Sequence, residues 1–466
     1  MATSFRAARV LLQPRDSVKW RSRDGTVFER NTDAVEDFHF VNGSRNVRSG
    51  RRRLQLTLTV KLGADPGQDI AVEHARAAWI ALRQRHPAIA SSVQGSKRVY
   101  QQLEPGQGDT WLNKTFVSIP GQREITPELL DSLPATDMPA MYFLPDSKIV
   151  ALRTSQHLMD AYGGAIVLND FLDELSRLIA KDTNTEDHYI SSERSDNLAC
   201  SLKEAASLPS ASIPQIARLW NVRRRWLRKY PTVGIAADQV SPQSGRSAWS
   251  DLEYSPSGTK ELVKKARKHK MTVTHVVHAG VAFAAKEYGP FTLTKNYNTV
   301  VVVDMRRRFT DKDSTKTNAV SAQHAMWPIS VPVTTFWKTA EALKQTYQDV
   351  VSDRDLPALA ERVFAEVLQG SPSACPSFYT APFVGSCGVI DDYLESSYGG
   401  LTVDDFSLSA ECSGEEVVVA VWSYRGRLRL RAMFNEGYHS AKSIERYLNL
   451  TAMALRDGLG VSRSCD

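Results

Sequence analysis

Residues 148–164 read KIVALRTSQHLMDAYGG, and this stretch decides the predicted fold. The apolar run Lys148–Thr154 predicts a buried strand. A turn with a histidine, an aspartate and two glycines follows it, and the next apolar residues, from about Ala165 to Ala180, recur at helical spacing. The stretch therefore predicts a strand, a turn that carries reactive side chains, and a helix, which together form one unit of a mixed α/β fold.

Segments on both sides repeat this αβ pattern. Leu54–Leu62 alternates as a strand with one buried face, and Asp69–Arg85 has helical spacing. Lys181–Ser212 is polar and serine-rich, which predicts a linker. We therefore expect an N-terminal lobe at 1–190, a crossover linker at 191–212 and a C-terminal lobe at 213–466. The main predicted elements of the second lobe are helices at Ile213–Tyr230, Gly258–His269, Thr274–Tyr288, Phe336–Val351 and Ser440–Leu455, a strand at Thr299–Asp304, and a hairpin of Glu415–Tyr424 with Arg427–Asn435.

The composition indicates a soluble, folded protein. Of the 466 residues, 58 are Lys or Arg and 52 are Asp or Glu, giving a net charge of +6, and 42% are hydrophobic. No apolar run approaches the ~20 residues that span a bilayer. The basic clusters lack a nucleic-acid-binding motif, so neither a membrane nor a nucleic acid is an expected partner. Five scattered cysteines without a CxxC pair, and no secretory signal, favour a reducing compartment and a cytoplasmic location.

The common catalytic motifs are absent from the sequence. GxxxxGK[ST], GxGxxG, GxSxG and HExxH do not occur, which disfavours nucleotide hydrolysis, common dehydrogenases, serine hydrolases and zincins. The turn after the central strand remains. The imidazole of His157, with an ordinary pKa of about 6.5, could deprotonate an alcohol. Asp160 could hold the turn in shape by pairing with an arginine.

The order of several motifs resembles the condensation-domain-like, or BAHD-type, coenzyme A-dependent acyltransferases. This superfamily includes chloramphenicol acetyltransferase, and the chain looks most like its fungal trichothecene 15-O-acetyltransferase group. The resemblance implies two chloramphenicol-acetyltransferase-like lobes with a tunnel between them, which acyl-CoA and an alcohol enter from opposite sides. The motifs that carry it are Trp79–Ala90, Gln156–Gly164, Val302–Arg308, Gly385–Asp391, Tyr398–Gly400 and Phe434–Ser440.

The turn departs from the family motif HxxxD. His157 is three residues before Asp160, and the residue four before it is Gln156, which cannot accept a proton at neutral pH. Neighbouring side chains on a strand point to opposite faces, so a shift of one residue takes an imidazole out of the tunnel unless a bulge restores it. Either the turn is shortened and His157 is the general base, or Gln156 faces the tunnel.

These two alternatives predict different functions. With His157 as base, the protein is an O-acyltransferase that moves an acyl group, expected to be acetyl, from acyl-CoA to a hydroxyl of a hydrophobic fungal secondary metabolite. With Gln156 in the tunnel, the fold is repurposed as a cyclase, an isomerase or a metabolite-binding protein. Acyl-CoA is the expected co-substrate, without a metal or prosthetic group, and the chain is expected to be a monomer.

The remaining candidate residues have binding or structural roles. The resemblance suggests an arginine partner for Asp160, and Arg306 is the candidate. His275 and His278 share a helix face, but we expect them to be packed rather than to bind metal. The proposed substrate-binding residues are Tyr162, Gly163, Gly164, Ser386 and Cys387, and the proposed structural residues are Asp304 and Arg306.

Overall fold

A computed structural model shows a mixed α/β fold whose described residues form two large hydrophobic cores and one small cluster. It describes residues 15–48, 54–64, 70–104, 107–181, 195–238, 244–289, 295–309, 318–368 and 381–460. Among these residues, none of the helices combines the length and the apolar run needed to cross a bilayer.

The largest sheet contains the strand predicted before the turn. Its six strands lie in the order β13-β14-β3-β8-β7-β6, with β8 paired to β3 and β7 in antiparallel register. Every residue of β8 is buried, as a strand between two neighbours in a sheet covered by helices requires. The strands are β3 (Gln55–Ala64), β6 (Phe116–Ser118), β7 (Ala140–Leu144), β8 (Ile149–Ser155), β13 (Ser397–Tyr398) and β14 (Leu401–Ala410).

Three smaller sheets complete the strand content of the described residues. A four-stranded sheet in the order β12-β15-β16-β9 contains the predicted hairpin, whose strands pair in antiparallel register. A second has the order β1-β2-β5-β4, and β10 pairs with β11. The strands are β1 (Arg21–Ser22), β2 (Val27–Asn31), β4 (Ser91–Gln94), β5 (Lys97–Gln101), β9 (Ser247–Tyr254), β10 (Asn296–Asp304), β11 (His324–Pro332), β12 (Phe383–Val389), β15 (Val418–Tyr424) and β16 (Arg427–Asn435).

The helices cover the sheets and pack on one another. The predicted amphipathic helices are present, with ends that differ from the prediction by a few residues. The α-helices are α1 (Ala34–Arg48), α2 (Val72–Arg85), α3 (Gly108–Thr115), α4 (Pro127–Ser132), α5 (Ala161–Lys181), α6 (Leu202–Ala205), α7 (Ile213–Leu227), α8 (Pro256–Lys268), α9 (Val273–Tyr288), α10 (Phe336–Ser352), α11 (Leu356–Arg362) and α12 (Ala441–Leu459), and a π-helical segment, Val363–Leu368, follows α11.

The two cores are built from both halves of the chain. One centres on α9, α10 and α12, and the other packs α2 and α5 on the six-stranded sheet. Strand β14 comes from the second half of the chain but pairs with β3, so the chain crosses back into the first sheet. The lobe boundaries at 190 and 213 stay a prediction, and residues 182–194 of the predicted linker lie outside the described residues.

Candidate active site

The turn between β8 and α5 holds both candidate bases. Strand β8 ends at Ser155, and the amides of Leu158 and Met159 donate to the Ser155 carbonyl at 2.9 and 3.3 Å. Gln156 and His157 are both half-buried on this turn. Strand alternation therefore does not decide which of them faces a substrate.

Packing fixes the position of the turn. The side chains of Leu158 and Met159 have no solvent exposure, and Met159 belongs to the core beneath the six-stranded sheet. Burying an aliphatic side chain of this size stabilises a fold by roughly 1.5–3 kcal/mol. The two residues next to the candidate bases therefore hold the turn against the sheet.

Asp160 connects the turn to three other backbone or side-chain groups. Its Oδ1 accepts a hydrogen bond from the Gly163 amide at 2.9 Å, which caps the start of α5. Its Oδ2 accepts from Nη1 of Arg306 at 2.9 Å and from the Gln323 amide at 2.8 Å. Burial alone would raise the pKa of Asp160, but the charge of Arg306 and its hydrogen bond lower that pKa well below its ordinary value.

Arg306 lies just after β10 and faces the turn from the other half of the chain. Its guanidinium is buried, and Nη1 is also 3.5 Å from Oδ1 of Asp304. The same Asp304 oxygen accepts the Arg306 amide at 3.1 Å, which caps a short 3₁₀ turn. Burial raises the pKa of Asp304, and the Arg306 charge partly offsets this. The two residues proposed as structural thus lie together beside Asp160.

A second arginine, Arg98, is hydrogen-bonded to the backbone of the turn. Its Nη2 donates to the carbonyls of Val320 at 3.0 Å and Leu158 at 3.4 Å, and its Nη1 lies 3.0 Å from Oε1 of Glu36. Glu36 also forms a bidentate pair with Arg30, at 2.6 and 2.7 Å. The members of this buried cluster are far apart in the chain, so no local sequence motif predicts the cluster.

Gly163 and Gly164 lie in the first turn of α5, so the prediction that they form a turn ahead of a helix starting at Ala165 is wrong. Asp160 caps the helix four residues earlier. A Cβ at Gly163 would lie 1.9 Å from the Ala319 carbonyl oxygen, and one at Gly164 would lie 2.7 Å from the Leu58 side chain. Both glycines therefore permit close packing of the helix on its neighbours.

Tyr162 connects the start of α5 to β12. Its hydroxyl donates to the Ser386 carbonyl at 3.3 Å, and its ring lies 5.0 Å from that of Tyr393. The Ser386 hydroxyl lies 2.9 Å from that of Thr274 on α9, and the β12–β15 register shifts between Ser386 and Gly388. Cys387 is buried in the core of the six-stranded sheet, and burial raises the pKa of its thiol to about 12.

Two histidines from distant parts of the chain lie near this turn and were missed by the sequence analysis. Nε2 of His39, on α1, is 3.1 Å from Nε2 of His324, the first residue of β11. Nδ1 of His324 is 3.9 Å from Oδ2 of Asp160. The ring of Phe40, next to His39, packs edge-on against His157 with 5.3 Å between centroids.

The other histidine pair is packed, as expected. His278 is fully buried, and its ring nitrogens lie 3.0 Å from the Tyr347 hydroxyl and 3.2 Å from that of Tyr297. His275 lies one helical turn away and its ring is 5.5 Å from that of Tyr347. Within the part of the chain that the structure describes, no cluster of three or more His, Cys, Asp or Glu side chains is arranged to hold a metal ion.

A small cavity of about 20 Å³ lies between the six-stranded sheet and the sheet that contains β9. Gln55 of β3, Ser247 and Trp249 of β9, and Glu411 line part of it. The Gln55 amide nitrogen donates to the Ser155 hydroxyl at 3.3 Å, so this wall adjoins the residue that precedes the turn. The cavity is walled by both halves of the chain, and its volume is that of about one water molecule.

Comparisons with known proteins agree with this fold. No family model matches the chain. The O-acetyltransferase pigM of Monascus ruber is 23% identical over 449 residues, covering 92% of this chain and 85% of that protein. The trichothecene 15-O-acetyltransferase TRI3 of Fusarium sporotrichioides superposes with a TM-score of 0.79 at 14% identity, covering 95% of this chain and 98% of that one.

A condensation domain gives a weaker match to the same fold. The first condensation domain of the calcium-dependent antibiotic synthetase superposes with a TM-score of 0.64 at 12% identity, covering 93% of this chain and 98% of that one. The chain therefore has the fold shared by condensation domains and chloramphenicol-acetyltransferase-like acyltransferases, the group that its sequence motifs resemble.

Proposed function

We propose that the protein is an O-acyltransferase of fungal secondary metabolism that transfers an acetyl group from acetyl-CoA to a hydroxyl of a hydrophobic metabolite. The relatives named as acetyltransferases and the shared fold support the reaction class. One observation carries the proposal. The turn that bears His157 is fixed by Asp160, whose carboxylate binds Arg306, Gln323 and the start of α5.

The proposed reaction needs a base and a shaped site, and no metal. Nε2 or Nδ1 of His157 takes the proton of the acceptor hydroxyl, and the oxygen forms its bond to the thioester carbonyl carbon. The tetrahedral intermediate collapses with cleavage of the C–S bond, and the imidazolium returns the proton to the thiolate of coenzyme A. Asp160, already bound by Arg306, holds the turn without taking part in the proton transfer.

We propose that the substrates bind to residues close to this turn, at the start of α5 and on β12. Tyr162, Gly163 and Gly164 lie at the start of α5, and Ser386 and Cys387 lie on β12. The hydroxyl of Tyr162 connects the two elements through the Ser386 carbonyl. We expect the protein to act as a monomer in the cytoplasm.

A second function is favoured by one property of Gln156. Its side chain is half-buried on the same turn, and among the described residues it has no hydrogen-bond partner. An amide in that state can donate to or accept from a bound metabolite, but it cannot take a proton at neutral pH. The alternative function is a cyclisation or isomerisation assisted by hydrogen bonds, or metabolite binding without reaction.

One experiment separates these functions. Purified protein is incubated with ¹³C-labelled acetyl-CoA and a metabolite extract of the source organism, and products are identified by mass spectrometry for wild type, His157→Ala and Gln156→Ala. We expect a labelled product one acetyl group heavier, strongly reduced by His157→Ala and retained by Gln156→Ala. A product of unchanged mass, lost only with Gln156→Ala, would instead establish the alternative.

A further inference from the structure

Helix α7 presents a stripe of exposed residues along its outer side. The stripe consists of Ile213, Ala217, Trp220, Arg224 and Arg228, which recur at helical spacing and are all exposed, the last of them at the residue that ends the helix. The exposed fraction is 83% for Ile213 and 53% for Trp220. The first half of the stripe is therefore apolar and open to solvent, and the second half is cationic.

The opposite side of α7 anchors the helix to the protein. Trp226 is buried in the core that centres on α9, α10 and α12, and its Nε1 donates to the Ile329 carbonyl at 3.0 Å. Arg218 binds two carboxylates, with its Nη2 2.6 Å from Oδ2 of Asp353 and its Nη1 2.6 Å from Oδ2 of Asp355. The helix is thus fixed in orientation, and its outer stripe faces away from the fold.

The charge around α7 is strongly one-sided. Residues 205–237 contain six Lys or Arg side chains and no Asp or Glu, so this segment alone carries as much charge as the net +6 of the whole chain. Arg224, Arg225, Arg228 and Lys229 are exposed, and within the described part of the chain none of these four forms an ion pair. Four cations at one end of the helix therefore remain available to an anionic partner.

We propose that the outer side of α7 binds the surface of an anionic membrane. The four cations contact the headgroups, and Ile213 and Trp220 enter the boundary between the headgroups and the acyl chains, where tryptophan is favoured because its ring is amphipathic. The guanidinium of Arg223 lies 5.7 Å from the centre of the Trp220 ring, which places a further cation beside the inserted indole. This inference goes beyond the proposed acyl transfer and does not depend on it.

A membrane fits this surface better than other anionic partners do. A nucleic acid would contact the cations and leave Ile213 and Trp220 in water. A fluid layer of headgroups contacts both halves of the stripe and needs no shape matched to the helix. The apolar runs of the chain are too short to span a bilayer, and no helix of the described residues could cross one, but a helix that lies on the membrane surface needs neither.

The test is co-sedimentation of the full chain with vesicles of phosphatidylcholine, alone or mixed with phosphatidylserine. We expect binding only when phosphatidylserine is present, and weaker binding as salt is raised, because ions screen the attraction. Arg225→Gln combined with Arg228→Gln should reduce the partition coefficient about 30-fold, since each cation close to an anionic surface contributes about fivefold. Trp220→Ser should reduce it about tenfold, because less apolar surface is buried in the membrane.

Matched controls change the same kinds of side chain elsewhere on the surface. Arg267→Gln combined with Lys268→Gln removes two exposed cations from α8, where none of the exposed large apolar side chains of the described residues lies. Met453→Ser removes an apolar side chain of α12 that is 46% exposed. Both controls should bind phosphatidylserine vesicles nearly as tightly as wild type. Circular dichroism of each variant checks that it is folded.

The outcomes separate this surface from a general effect of net charge. If the folded wild type does not bind phosphatidylserine vesicles, the proposal is overturned. Equal losses for the charge variants of α7 and α8 also overturn it, because the attraction then does not depend on α7. Unchanged binding of Trp220→Ser would overturn the insertion of the apolar half. Because no turnover is measured, each result holds whether or not the protein transfers an acyl group.

Discussion

Oδ2 of Asp160 lies 2.9 Å from Nη1 of Arg306, and both side chains are nearly excluded from solvent. The two residues are 146 positions apart, so the pair joins the turn after β8 to the segment after β10. Because Asp160 also caps α5 and accepts the Gln323 amide, one carboxylate connects three segments at the point where His157 is presented.

Removing one partner of this pair should destabilise the fold. Arg306→Met leaves the Asp160 carboxylate buried without its cation, and we expect a loss of about 3–5 kcal/mol in the free energy of unfolding, measured by urea denaturation. The control is Arg177→Ala, whose side chain is 56% exposed and pairs with Glu174 one helical turn away. That variant should lose less than about 1 kcal/mol. Equal losses for the two variants would contradict the importance assigned to the buried pair.

The acid dependence of stability should contain a contribution from Glu36. Burial alone would raise the pKa of Glu36. The charges of Arg30 and Arg98 have a larger, opposite effect, so the pKa falls from an ordinary 4.5 to about 2. A carboxylate whose pKa is lower in the folded state than in the unfolded state stabilises the fold. This stabilisation is fully present above the pKa of the unfolded state and is lost as the pH falls through the pKa of the folded state. Glu36 should therefore contribute to the slope of stability against pH between about 4.5 and 2.

Glu36→Gln tests this contribution by urea denaturation from pH 7 to pH 2. The variant leaves two buried guanidinium groups without their carboxylate, so we expect it to be less stable at pH 7 and to show a shallower acid limb. Glu174→Gln, on the surface beside Arg177, should stay within about 0.5 kcal/mol of wild type at pH 7. An acid limb as steep in Glu36→Gln as in wild type would show that other groups cause it.

The start of α5 should not tolerate a side chain at residue 163. In Gly163→Ala the new Cβ would meet the Ala319 carbonyl oxygen at 1.9 Å, so α5 and the 318–323 segment must move apart. Because Asp160 bridges the same two regions, we expect lower stability together with reduced acyl transfer. Gly43→Ala is the control, since a Cβ there has no atom within 4 Å, and it should be neutral or stabilise α1 by up to about 1 kcal/mol. Similar behaviour of the two variants would contradict the packing argument.

The elements that could be predicted from the sequence are those with a strong local period. The alternation of Leu54–Leu62 predicted β3, and the apolar run before the turn predicted β8 to within one residue at each end. The start of α5 was placed too late because glycine usually indicates a turn, whereas here Asp160 caps the helix and the glycines allow close packing. The residues that Gly163 and Gly164 pack against are distant in sequence, so the local sequence cannot show why glycine is needed there.

The candidate site was predictable only where residues are close in sequence. The turn with Gln156, His157 and Asp160 was identified as a local motif, and the family resemblance suggested an arginine partner for Asp160. The pair of His39 and His324 was not, because 285 residues separate them and neither lies in a recognisable motif. The crossing of β14 into the first sheet is also a long-range event, which no local period encodes.

The buried thiol of Cys387 should be dispensable for the chemistry. Burial raises its pKa to about 12, so it remains a protonated thiol at neutral pH and cannot act as a nucleophile there. Cys387→Ala should fold with a loss of about 1 kcal/mol from the small cavity and should retain turnover. The measurement is the initial rate of labelled-product formation, with circular dichroism to confirm folding.

Ser386→Ala provides the comparison for this strand. It removes the hydroxyl that lies 2.9 Å from that of Thr274, in a segment proposed to contact substrate. We expect its effect to fall on KM rather than on kcat, because the hydroxyl is proposed to bind and not to react. Loss of turnover in a folded Cys387→Ala variant, with Ser386→Ala still active, would instead place the thiol in the reaction. A retained rate in both variants would leave the imidazole of His157 as the proposed group that takes the proton.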